Sequence, residues 1–201
     1  QTLVEEHIPG IPGDVFIRDF MSLPNTNRIR FAKEFVKFNE RCFVRLLGDM
    51  RAYNFIVEIT PDIEDFQYRI RSIDFDQQSF EGRKNLYLPQ YFKENAPIVE
   101  LCIKYLNSDS IEQYQSEERT MMAFRLASQR YRIMDLLTIM GKDEISPPEK
   151  TEQLKAELGA HFKTSAFRTT SSMGQLLKVH LKQTLRKNLL ILQKSMGKWQ
   201  D

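Results

Sequence analysis

Little in this sequence points to a metal cage, a membrane or a disulfide framework. It holds two cysteines and three histidines in 201 residues, and none of them stands at zinc-ligand spacing. Cys42 and Cys102 both lie in apolar helical patterns, which predicts buried thiols and a reducing, cytoplasmic setting. Apolar runs stay well short of the roughly 20 residues that a membrane span needs, and the first residues lack a leader pattern, so no span is expected. A formal charge of +2 is too small an excess to make nucleic acid an expected partner. Glycine is sparse, at 8 residues, and no glycine-rich phosphate loop stands anywhere in the chain. No internal repeat or low-complexity stretch is present.

What remains is an ordinary soluble composition, 41% apolar and 28% charged, in a chain long enough to bury one core. Helical periodicity dominates. Phe31, Phe35, Phe38, Cys42 and Leu46 recur at steps of three and four, behind Asn25 or Asn27 as a cap. Residues 95–106 form a second amphipathic face, with Pro97 tolerated in the first turn. A long helix is expected from Asp109 or Ser110 to Gly141, opened by a capping box with Glu112 and Gln113. Residues 149–162 and a last helix with Leu177, Leu181, Leu185, Leu189 and Leu192 follow, the latter capped by Ser171 or Ser172. Its lysines and arginines, Lys178 to Lys198, clothe the other faces, and packing of the leucines on the host domain is the simpler expectation. Near the start, residues 1–6 read as a short strand, 7–13 as a sharp break, and 14–23 as irregular chain with a helical turn.

The chemistry-bearing stretch runs from Leu47 to Gly82. Val57 and Ile59 have strand-like composition, Phe66, Tyr68 and Ile70 alternate with polar residues, and Pro61 to Asp65 is a turn signal. A β-hairpin folded about Ile63 sets Asn54 opposite the Ser72 to Asp74 end, because both arms advance by equal steps. Its open end then gathers Asp49, Asn54, Asp74 and Asp76. Such oxygen donors suit a hard cation that keeps several waters and bridges phosphates. One further carboxylate could accept a proton from an attacking hydroxyl. Asp and Asn are also the residues that hold turns, and that structural reading stands beside the chemical one.

Gly48-Asp49, then Asn54 five residues on, a hairpin, and Ile73-Asp74-Phe75-Asp76 resemble the catalytic and metal loops of the kinase superfamily. The likeness is to the aminoglycoside phosphotransferase and choline kinase branch. It implies a mainly α fold with a small β-hairpin: a kinase-like large lobe over 14–201, extended by added C-terminal helices from about residue 108. It further implies Asp49 as catalytic base, Asn54 and Asp74 as Mg2+ ligands with Asp76 assisting, and ATP or another nucleoside triphosphate as donor. Residues 1–13 would end the small lobe, with the backbone at Glu6, His7 and Ile8 as a hinge toward adenine. The rest of that N-terminal lobe would be missing. The acceptor would be a hydroxyl on a small molecule or a protein. Leu47 stands where the family has a histidine. Arg51, inside the loop, would meet substrate or phosphate, or else pair with a nearby carboxylate. A non-catalytic, pseudokinase-like or helical interaction module is the alternative, its basic last helix docking a partner.

Overall fold

The computed structural model describes residues 9–197, with side chains to residue 194, so the strand and hinge expected at residues 1–8 lie outside the described residues. Mainly α architecture with a small antiparallel sheet is what the chain forms. Strand β1 (Ile11–Pro12) is followed by helical turn α1 (Gly13–Val15) and a π-helical stretch, Phe16–Phe20. Then come α2 (Arg28–Arg45), strands β2 (Phe55–Pro61) and β3 (Phe66–Ser72), short 3-10 turns, and five further α-helices among the described residues. These are α3 (Ala96–Tyr105), α4 (Ser108–Ser128), α5 (Arg130–Met140), α6 (Pro148–Phe162) and α7 (Met173–Gly197).

Helix α2 is the axis of the molecule. Asn27 caps it by accepting the Arg30 N–H at 3.0 Å, and Leu46 ends it in a left-handed turn at φ 50°. Its aromatic stripe is core as expected: Phe31, Phe35, Phe38, Cys42 and Leu46 are all buried. Yet twelve of its 18 residues are buried, so charged positions go inside too and need partners there. Arg41 meets Glu34 at 2.5 Å and Glu118 of α4 at 3.1 Å. It also donates to the Ile70 carbonyl at 3.0 Å, while Glu34 accepts the Ile70 N–H at 2.9 Å. The helix is thereby bolted to strand β3 by a charged pair as well as by aromatic packing.

Three apolar clusters meet along α2. The largest joins Phe31, Phe35 and Phe38 to Phe16, Phe55, Val57 and Ile70. A second gathers Phe43 and Leu46 with Leu154, Leu158, Phe167 and Leu176. Val44 reaches a third, with Ala123 and Leu185. Leu177, Leu181, Leu185, Leu189 and Leu192 of α7 therefore pack on the host domain, as the simpler expectation had it.

Several boundaries differ from those expected. Ile11 and Pro12, within the stretch read as a break, pair with Val57 and Ile56. Gly13 makes this possible, since a Cβ there would fall 2.2 Å from the Phe55 ring and 2.3 Å from the Ala52 carbonyl. Residues 14–20 are helical, because Phe16 is buried against the Phe31 ring, centroids 4.4 Å apart. The long helix starts earlier: Asn107 in extended conformation is the cap, and Ser110 completes the box. It is also two helices, α4 and α5, separated at Gln129 (φ −110°, ψ 24°). Ser172 Oγ accepts the Gln175 N–H at 3.3 Å near the start of α7.

Both cysteines are free and buried. Burial pushes the Cys42 thiol up to about 12 and that of Cys102 to about 11, so neither ionises at neutral pH. No helix among the described residues is long and apolar enough to cross a membrane.

Candidate functional site

The hairpin forms in the register that the sequence implies. Phe55 pairs with Ser72 and Val57 with Ile70, and the turn lies between Pro61 and Phe66. One step beyond the ladder, Ile73 donates its N–H to the Asn54 carbonyl at 3.1 Å. Asn54 and Asp74 thus arrive at the same open end, from opposite arms.

The loop that carries Asp49 is held by its neighbours rather than by a secondary-structure ladder. Gly48 N–H reaches the Gln77 carbonyl and Asp49 N–H the Leu86 carbonyl, each at 3.2 Å, while Ser79 N–H bonds the Leu46 carbonyl at 2.8 Å. A Cβ on Gly48 would sit 3.1 Å from the Gln77 oxygen, which favours glycine at this crossing. Buried Asn95 props the loop from below, donating its amide to the Met50 and Pro89 carbonyls at 2.9 and 2.8 Å. Asp49 itself sits at φ 56°, a left-handed conformation that only a few residue types tolerate without strain.

Three side chains lock together there. Arg51 Nε donates to Asp49 Oδ1 at 2.6 Å, and Asn54 Nδ2 donates to the Asp49 carbonyl at 2.7 Å and to Oδ2 at 3.3 Å. Arg51 also reaches Glu94 at 3.3 Å and lies over the Phe92 ring, 5.2 Å from its centroid. Its hydrogen bond to Asp49 is the main reason its guanidinium is held above the ordinary arginine value. Of the two roles open to Arg51, the structure shows the pairing with carboxylates. Asp49 is about one-third exposed, so this cluster lies at the surface.

Asp74 is half-buried and accepts the Asp76 N–H at 3.0 Å, a short turn of its own, while Asp76 is exposed. Neither carboxylate has an ion-pair partner within 4 Å among the described residues, and the apolar side chains flanking Asp74, Ile73 and Phe75, are about half exposed, as is Tyr53. The donor chemistry fits magnesium bound beside phosphates. Asn54 spends its NH2 inward on Asp49, leaving its amide oxygen without a donor among the described residues, and Asp74 offers an unpaired carboxylate across the hairpin. No three His, Cys, Asp or Glu side chains converge among the described residues, so a closed protein cage is not what this end provides. Magnesium, which retains waters and takes phosphate oxygens, asks only for one or two such ligands.

Two participants escaped the sequence. Glu94 and Asn95 arrive 43 and 45 residues downstream of the loop groups they hold, and only the tertiary fold brings them there. The hinge residues Glu6, His7 and Ile8 lie outside the described residues. In comparisons with protein-family models, with known proteins and with solved structures, nothing matches the chain.

Proposed function

We propose that the chain is the catalytic lobe of a magnesium-dependent phosphotransferase, acting from ATP or another nucleoside triphosphate onto a hydroxyl. The observation that carries this is the backbone bond from Ile73 to Asn54, which seats an amide and a carboxylate without an ionic partner at one end of one hairpin. Asn54 and Asp74 would hold the magnesium, which neutralises charge on the transferring phosphates, and Asp76 stands next in line. Asp49 would orient the acceptor hydroxyl and take up its proton, and Arg51, donating to Oδ1, fixes the direction of that carboxylate. Exposed Tyr53, Ile73 and Phe75 give the face an apolar rim against which a base or a covering lobe can pack. A covering lobe belongs to this reading, because the sequence carries no glycine-rich phosphate loop and water must be excluded for the transfer. Free, un-ionised cysteines accord with a cytoplasmic setting.

A second reading, a non-catalytic interaction module, draws on the same loop: Asp49 is fully engaged by Arg51 and Asn54, as a purely turn-holding residue would be. Melting curves separate the two. Millimolar magnesium with a non-hydrolysable nucleotide should raise the melting temperature of the wild type, since a ligand that binds only the folded state stabilises it. Asp74→Asn should lose the magnesium-dependent part of the shift. Equal shifts in both proteins would remove the phosphotransferase reading and leave the module, as would no shift in this chain and none in an N-terminally extended one.

A further inference from the structure

None of Asp49, Asn54, Asp74 and Asp76 lines a neighbouring cavity of about 410 Å3, whose walls carry five guanidiniums: Arg41 and Arg45 of α2, Arg69 and Arg71 of β3, and Arg125 of α4. Like charges crowded in this way repel one another unless carboxylates offset them. Three carboxylates do so in part. Glu34 and Glu118 hold Arg41 and lie 3.8 and 4.0 Å from Arg69, while Glu58 holds Arg71 at 2.7 Å. Among the described residues no carboxylate comes within ion-pair distance of Arg45 or Arg125, and Arg45 spends its Nε on the Arg41 carbonyl at 3.2 Å. Burial first, and repulsion from Arg41 and Arg125 after it, hold both Arg45 and Arg69 below the ordinary arginine value.

A second cavity, of about 480 Å3, shares Arg41, Arg45 and Arg125 with the first. Its other walls are mostly apolar: Met122 and Leu126 of α4, Ile133 and Leu137 of α5, Leu177 and Leu181 of α7. The three shared arginines therefore border both a cationic chamber and a greasy one. Each chamber falls in the ordinary range for small-molecule sites, roughly 300–1,000 Å3.

We propose that the joined chambers bind a single soluble amphiphile, with a phosphate head on Arg45 and Arg125 and an alkyl tail between α4, α5 and α7. The head's double negative charge matches the two cations that have no carboxylate partner among the described residues. Guanidinium forks suit phosphate oxygens, which they grip two at a time. Inorganic phosphate alone would leave the apolar walls wet, and a bare hydrocarbon would leave the guanidiniums uncompensated. Neither satisfies both halves. The site shares Phe75 with the rim of the hairpin face but none of the groups assigned to phosphoryl transfer, and either can fail without the other.

Calorimetric titration of the whole chain tests it, with octyl phosphate below its micelle concentration, inorganic phosphate and octyltrimethylammonium. Octyl phosphate should bind at least tenfold tighter than inorganic phosphate, since each buried methylene is worth roughly fourfold. The cationic amphiphile should not bind detectably. Arg45→Gln combined with Arg125→Gln should weaken octyl phosphate tenfold or more, and Arg125→Gln alone, at an exposed position, severalfold should the pair not fold. Equal affinity for the two phosphates, comparable binding of the ammonium compound, or undiminished affinity in Arg125→Gln would each overturn the proposal. So would association with phosphatidic-acid vesicles in the absence of any binding to soluble octyl phosphate.

Discussion

Ile73 donates its backbone N–H to the carbonyl of Asn54 at 3.1 Å, one step past the last rung between β2 and β3. That bond makes the residue preceding Asp74 a fixed neighbour of the residue that closes the Asp49 loop. Whatever chemistry the hairpin supports depends on this closure, and changes on either side of it are therefore informative.

Asp49→Asn isolates the proton-accepting role. Asparagine tolerates the left-handed conformation at φ 56° and still presents an oxygen to Arg51, so the loop should keep its shape. In the protein with its covering lobe, turnover by phosphoryl transfer should fall about 10²–10⁴-fold. Stability should move by less than about 1 kcal/mol, because the Asp49–Arg51 pair is partly solvated. Steady-state kinetics alongside urea melts would show both, and retained turnover would defeat the assignment of the base.

Arg41→Met should unfold the protein far more readily. It strips Glu34 and Glu118 of their buried counter-charge and leaves the Ile70 carbonyl without its donor. A loss of about 3–5 kcal/mol in urea denaturation is expected, the usual cost of orphaning a buried ion pair. Adding Glu118→Leu to the same variant should restore part of it, with Glu34 kept as acceptor of the Ile70 N–H.

His180 should make stability depend on pH. Its ring is buried between Phe43 and Phe162, its Nε2–H donates to the Phe43 carbonyl at 2.8 Å, and its Nδ1 has no partner. Burial holds its pKa down to about 4, against 6.5 in the unfolded chain. The unfolded state therefore binds the extra proton first. The contribution is intact above pH 6.5, declines as pH falls, and is gone below about 4, for a total of roughly 3 kcal/mol. Denaturation at a series of pH values should show this slope, and His180→Gln should flatten it.

Asn95→Ala should loosen the Asp49 loop from a distance. Two buried carbonyls, those of Met50 and Pro89, lose their donor, at a cost of about 1–3 kcal/mol. Amide exchange at Met50 to Asn54 should rise more than in β2, and uniform exchange across both would count against a propping role.

The parts of this fold that depend on neighbours in sequence were legible. Turn chemistry between Pro61 and Asp65 placed the hairpin and, with it, the backbone positions of Asn54 and Asp74 at one open end. The aromatic period placed α2, whose end delivers Asp49. Parts that depend on distant partners were hidden. Nothing at Gln129 resembles a breaker, because that interruption involves no glycine or proline. Arg41 lies buried in a helix whose aromatic stripe alone is legible, and Glu118, which holds it, comes from another element. Arg51 could be read either way until Glu94 and Phe92 closed on it.

The bolt between α2 and β3 has one more effect. Among the described residues strand β3 has a single neighbour, β2, so its outer margin presents backbone groups that a strand of another molecule could meet. At Ile70 both groups are already taken, the N–H by Glu34 and the carbonyl by Arg41. At that rung a carboxylate and a guanidinium take the bonds that a further strand would take, and they oppose pairing with a second chain there.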